Sequence, residues 1–125
     1  LLSVKIILGD KSKNIIKDET INNTKVRFQK VIDLPSKDLR NLVDNAKREI
    51  GQGVIIIFAT KDEKIGLAVG VTDKLTKKFD AVKLAKICSE IVGGKGGGGR
   101  PDFAQAGGVL KDKIEEAFNK LKSLI

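Results

Sequence analysis

At 125 residues the chain has room for one ordinary core, and with 41% hydrophobic and 32% charged residues its composition is that of a globular protein and not a disordered one. A formal charge of +8, from 24 Lys and Arg against 16 Asp and Glu, raises the expectation of a polyanionic partner and puts nucleic acid ahead of a membrane. Histidine is absent, which removes Ser-His and Cys-His nucleophile pairs, histidine general bases and the usual zinc or two-metal ligand sets, and so disfavours most hydrolytic mechanisms. Cys88 is the one cysteine, so no intrachain disulfide can form, in keeping with a reducing compartment. The longest apolar runs fall far short of the roughly 20 residues that cross a bilayer, and a soluble, cytoplasmic protein with no membrane partner is expected. The absence of methionine points to a piece of a longer chain. Most of the basic residues are Lys spread along the chain, so a solvated surface accounts for part of the excess.

Residues 1–20 read as the remnant of an upstream segment or a linker, with Leu2 to Leu8 either a short strand or the tail of a helix. Asn22-Asn23 is a turn signal. After it, Val26 and Phe28 alternate with Arg27 and Gln29 before Val31-Ile32, which predicts a first core strand with one buried face. Pro35-Ser36 reads as a helix start, with Ser36 free to cap and Asp38 placed at the positive end of the dipole. Leu39, Leu42, Val43, Ala46 and Ile50 recur at helical spacing, Lys47 and Arg48 occupy the last turn, and Gly51 suits a left-handed stop. Val54 to Ala59 is short, continuous and β-branched, the pattern of a central strand buried on both faces.

Lys61-Asp62-Glu63-Lys64 predicts a hairpin turn into a strand over Ile65 to Val71, and the preceding strand, helix, strand unit predicts a parallel pair. Asp80 is placed to cap a second helix with Leu84, Ile87, Cys88, Ile91 and Val92 on its inner face and Gly93 at its end. A third helix is predicted from about Val109 to the end. The fold class expected is α/β: a mixed β-sheet flanked by α-helices, in a single domain over residues 21–125.

Between the last two helices lies Gly93-Gly94-Lys95-Gly96-Gly97-Gly98-Gly99-Arg100-Pro101-Asp102-Phe103-Ala104-Gln105-Ala106-Gly107-Gly108. A flexible link would be expected to carry Ser; here Pro101 stiffens the segment and Phe103 asks for burial, so a structured path is expected. Successive amides on such a path can form a nest for an anion, and absent side chains let another backbone approach closely. The segment does not match G-x-x-x-x-G-K-[ST] and follows a helix where nucleotide-binding loops follow a strand, which disfavours a nucleotide pocket.

This segment resembles the signature near the C-terminus of alanyl-tRNA synthetases, in the domain they share with DHH-type phosphoesterases. The resemblance extends over about Ile21 to Ile125, through a strand like Lys25 to Val31 and a helix like Asp38 to Ile50. One departure is in length: the family has three glycines between Lys and Arg, and Gly96 to Gly99 makes four. The phosphoesterase relatives carry a Gly-Gly-Gly-His type motif at the corresponding loop. Arg100-Pro101-Asp102 replaces it here, which favours the synthetase branch.

The resemblance implies a C-terminal domain that binds tRNA(Ala), at the elbow, while upstream domains of the same chain perform aminoacylation and editing. It implies no cofactor in this fragment, with ATP, Mg and Zn belonging to the parent enzyme, and a possible homodimer. The residues it offers for tRNA binding are Gly94, Lys95, Gly96, Gly97, Gly98, Gly99, Arg100, Asp102 and Gln105. Lys95 and Arg100 are the first choices for phosphate contact; Asp102 is a candidate to cap or tether the loop. Lys74, Lys77, Lys78, Lys83 and Lys86 form the densest basic stretch elsewhere, equally readable as a solvated face. Two other classes stay open: the substrate-binding half of a DHH-type phosphodiesterase, and an oligomerisation module whose glycine segment is a close-packed interface.

Overall fold

A computed structural model describes residues 14–32, 38–61, 64–94 and 97–125. Its strands are β1 (Asn14–Ile21), β2 (Thr24–Ile32), β3 (Val54–Lys61), β4 (Lys64–Val71), β5 (Gly98–Arg100) and β6 (Phe103–Gly108), and its helices are α1 (Leu39–Ile50), α2 (Ala81–Ile91) and α3 (Ile114–Leu124). The strands form one six-stranded sheet in the order β1-β2-β3-β4-β6-β5. Only β2 and β3, the pair joined through α1, run parallel; every other neighbour is antiparallel, so the sheet is mixed, as the sequence predicts.

The alternation of side chains along β3 distributes the core between the two faces. Val54, Ile56 and Phe58 join Val26, Phe28, Leu67 and Val69 beneath α2 and α3, where Leu84, Cys88, Ile114, Phe118 and Leu121 close the larger core. Phe118 of α3 meets Phe28 at a centroid separation of 4.8 Å and Phe58 edge-on at 5.1 Å. Ile55, Ile57 and Ala59 face the other way and pack with Ala68 against Leu39, Val43 and Ala46 of α1. Burying each large side chain of this kind is worth about 1.5–3 kcal/mol relative to exposure, so β3, with seven of its eight residues buried, is the energetic centre of the domain.

Several local expectations hold. Gly51 ends α1 at φ +77°, Gly93 follows α2 at φ +78°, and Asp80 caps α2 by accepting the Val82 N–H at 2.9 Å. Others are corrected. Residues 14–20, read from the sequence as part of an upstream remnant or linker, form most of β1, which pairs with β2 along its full length. The Asn22-Asn23 turn joins the two strands with both residues at positive φ, the backbone a two-residue primed turn requires. β2 is therefore the second strand and is buried on both faces: Arg27 and Gln29, expected outside, are covered. The reason for Arg27 is electrostatic, since Asp18 of β1 and Glu49 of α1 both accept from its guanidinium.

Asp38 stands at the head of α1 without a side-chain capping bond, and Ser36 lies outside the described residues, as does the Leu2 to Leu8 stretch. α3 begins at Ile114 and not near Val109, because the Val109 and Leu110 N–H groups donate to the Val92 carbonyl and pin the chain to the end of α2 first.

Candidate nucleic-acid interface

The glycine-rich segment leaves α2, forms β5, turns at Pro101-Asp102 and returns as β6 alongside β4. The expected anion-binding nest is thus an extended hairpin at the sheet edge. Its β6 backbone pairs with β4 along its length and with β5 over Phe103 to Gln105, while β5 occupies the outermost position. Both ends of the segment are fastened to the last turn of α2. The Gly94 N–H donates to the Ser89 carbonyl at 2.7 Å, and the Ser89 hydroxyl donates to the Gly107 carbonyl at 2.6 Å.

Close backbone approach is what the glycines provide. A Cβ on Gly97 would fall within the Gln105 carbonyl oxygen, and one on Gly99, whose φ is +154°, within that of Phe103. Gly98 is different, since a Cβ there would meet no atom within 4 Å. The tip is held from behind by main-chain carbonyls. Pro101 accepts the Ala81 N–H at 2.9 Å, and Asp102 accepts both the Val71 N–H at 2.9 Å and the Lys47 ammonium at 2.8 Å. Asp102 therefore tethers the turn, as anticipated, chiefly through its backbone oxygen.

With the turn fixed, the Arg100 side chain points outward and remains 63% exposed; its ionic contact is Asp102, 3.7 Å away and largely in water. Phe103 is half-buried against the α1-side core, with the Arg40 guanidinium 5.4 Å from its ring centre. Of the residues chosen from the sequence, Gly97, Gly98, Gly99 and Arg100 share this exposed edge. Asp102 and Gln105 are half-buried, Gln105 within β6 between β4 and β5, and Gly94 sits back against α2. Lys95 and Gly96 lie outside the described residues.

Sequence reasoning did not connect this edge with the far end of α1. Lys47, Arg48 and Gln52 stand beside Thr72, Asp73 and Lys74 around one concavity, and Lys47 also bonds the hairpin turn. The pattern held part of the signal, with Lys47 and Arg48 in a helical last turn and Lys74 heading the basic stretch, but their meeting depends on the crossover. Lys74, Lys77 and Lys78 are exposed on the connection between β4 and α2, and Lys83 and Lys86 on the outer face of α2. Cys88 is buried against the sheet, where burial pushes its thiol up to about 12 and keeps it uncharged.

The family model of the DHHA1 domain matches residues 23–125. The chain is 44% identical over 107 residues to the alanine–tRNA ligase of Hyphomonas neptunium, covering 86% of this chain and 12% of that protein. It is 48% identical over 99 residues to that of Bradyrhizobium diazoefficiens, covering 78% and 11%. The chain therefore spans about one eighth of the length of these relatives. The C-Ala domain of Aquifex aeolicus alanyl-tRNA synthetase superposes with a TM-score of 0.80 at 31% identity, over 86% of this chain and 96% of that one. A DHH-domain protein of the s1p family of ribosomal proteins shares the fold at a TM-score of 0.56 and 23% identity, over 85% of this chain and 27% of its own. The chain belongs to the DHHA1 domain family, in the branch represented by the C-Ala domain of alanyl-tRNA synthetase.

Proposed function

We propose that this domain is the C-terminal part of an alanine–tRNA ligase and holds tRNA(Ala), at its elbow, for aminoacylation and editing carried out by upstream domains. The observation that carries the reading is Arg100, an exposed guanidinium at the tip of a hairpin whose backbone is fixed by three hydrogen bonds from behind. Such a group costs little to order on binding, and it can meet phosphate with two parallel donors or stack on an unpaired loop base. A net charge of +8 supports long-range attraction to the same ligand.

The fragment catalyses nothing by itself in this reading. In the same reading the ATP, Mg and Zn of the parent enzyme belong to its upstream domains. A cytoplasmic setting belongs to the same proposal, as does assembly into a homodimer.

Filter binding of tRNA(Ala) against an unrelated folded RNA, across a salt series, tests the reading. Wild type is expected to bind tRNA(Ala) more tightly. Lys95→Ala and Arg100→Ala are each expected to weaken it on the order of tenfold and to flatten the log affinity against log salt slope by about 0.7–0.9. Absence of tRNA binding at low salt, or both variants behaving as wild type, overturns it.

A further inference from the structure

A concavity of about 600 Å³ opens between the last turn of α1 and the loop that leads from β4 to α2, walled by Lys47, Arg48, Gln52, Thr72, Asp73 and Lys74. Three cations face one carboxylate there. Three main-chain donors around it are already used: the Gly51 N–H on the Lys47 carbonyl, the Gln52 N–H on the Ile50 carbonyl and the Thr72 N–H on the Gly53 carbonyl. The Thr72 hydroxyl accepts the Gly53 N–H at 3.0 Å. The side chains that line it and can meet a ligand include the Arg48 guanidinium, the Gln52 amide and the Lys74 ammonium.

The negative end of the α1 dipole accounts for part of the positive charge, since Lys47 and Arg48 close that helix. It does not account for Lys74, which comes from a different element and has no ion-pair partner among the described residues. Among the described residues Arg48 donates only to Asn45, at 3.3 Å on the surface. An open cleft lined by cationic and amide side chains suits a length of sugar-phosphate backbone better than an enclosed small molecule.

The cleft and the glycine hairpin share a wall. Lys47 lines the cleft and donates to the Asp102 carbonyl at 2.8 Å, and Asp102 in turn faces Arg100. We infer that the cleft is a second contact for the backbone of a folded RNA, with Arg48 and Lys74 on phosphate, so that one RNA bridges the hairpin tip and the end of α1. This deepens the tRNA-holding reading and rests on it.

The test uses this chain with tRNA(Ala), comparing Arg48→Ala/Lys74→Ala, Arg48→Glu/Lys74→Glu and Arg100→Ala, with Lys120→Ala on α3 as the control for a surface charge elsewhere. The alanine pair is expected to weaken binding on the order of tenfold and to reduce the salt slope by about 1.4–1.8, the value for two lost phosphate contacts. The glutamate pair is expected to weaken it further, and combination with Arg100→Ala to multiply the losses. All four positions are exposed, and equal thermal midpoints exclude unfolding as the cause. If wild type binds tRNA and Arg100→Ala weakens it while both cleft pairs match Lys120→Ala, the cleft inference is overturned and the function reading stands. If wild type binds no tRNA, both fall.

Discussion

β1 and β5 are the two edge strands of one sheet, and they are made from different chemistry. β1 is eight residues long and is fastened by its side chains: Asp18 to the Arg27 guanidinium across the ladder, and Glu19 to Lys122 of α3 at 2.9 Å. β5 is three residues long, two of them glycine, all exposed, and is held through close backbone approach and the tethered turn that follows it. Both devices protect an edge, by charge in one case and by shortness in the other. They leave different things free. An edge fastened by side chains has few left to offer a ligand, whereas one fastened by its backbone presents Arg100 held by a loose, largely solvated pair with Asp102.

The largest expected effect breaks the hairpin. Gly97→Ala places a methyl group within the Gln105 carbonyl and is expected to cost about 2–3 kcal/mol in urea unfolding, whereas Gly98→Ala, with open space around it, should stay within about 0.5 kcal/mol. Equal costs at the two neighbours would show that backbone contact does not hold this edge. Next, Arg27→Ala removes a covered guanidinium and its packed stem while Asp18 and Glu49 keep access to water. A loss of about 2 kcal/mol is expected, with tRNA affinity unchanged. Arg100→Ala should do the reverse, losing affinity and leaving the unfolding midpoint in place. A stability loss at Arg100 comparable with that at Arg27 would erase the distinction between the edges.

The smallest effect is a pH dependence at β1. The Lys122 ammonium, 2.9 Å from Glu19, holds its carboxyl below its ordinary 4.5, against an opposing contribution from burial. A depressed folded value means that the stabilisation is present above 4.5 and is lost as pH falls through the lower folded value. Glu19→Gln should therefore unfold more easily than wild type at neutral pH, with the gap closing below 4.5. A gap that persists in acid would assign the effect to packing.

Much of the fold is legible in the pattern because its signals are local. The β-branched run Val54 to Ala59 needs no partner to be read as a central strand, and Gly51, Asp80 and Gly93 mark helix ends by backbone chemistry alone. β1 was not legible, since Lys17-Asp18-Glu19 interrupts its apolar residues and the strand exists because β2 pairs with it. The buried state of Arg27 has the same origin: a guanidinium reads as surface until two carboxylates from other elements arrive. For the candidate site, Arg100-Pro101-Asp102 stands out in the sequence. The strand conformation of its glycines does not, because a glycine run carries no alternation from which to read a pleat.

By itself, the sequence determined the order of the central elements, the mixed character of the sheet and the family, because apolar periodicity, helix-end residues and the Arg100-Pro101-Asp102 motif are properties of neighbouring residues. Tertiary structure alone decided that the glycine segment is an edge hairpin pinned to α2, and that Arg48 and Lys74, 26 positions apart, stand around one cleft whose Lys47 reaches Asp102. Those meetings follow from where the crossover through α1 and the return of β6 place the chain ends, and contacts at that range leave no period in the sequence.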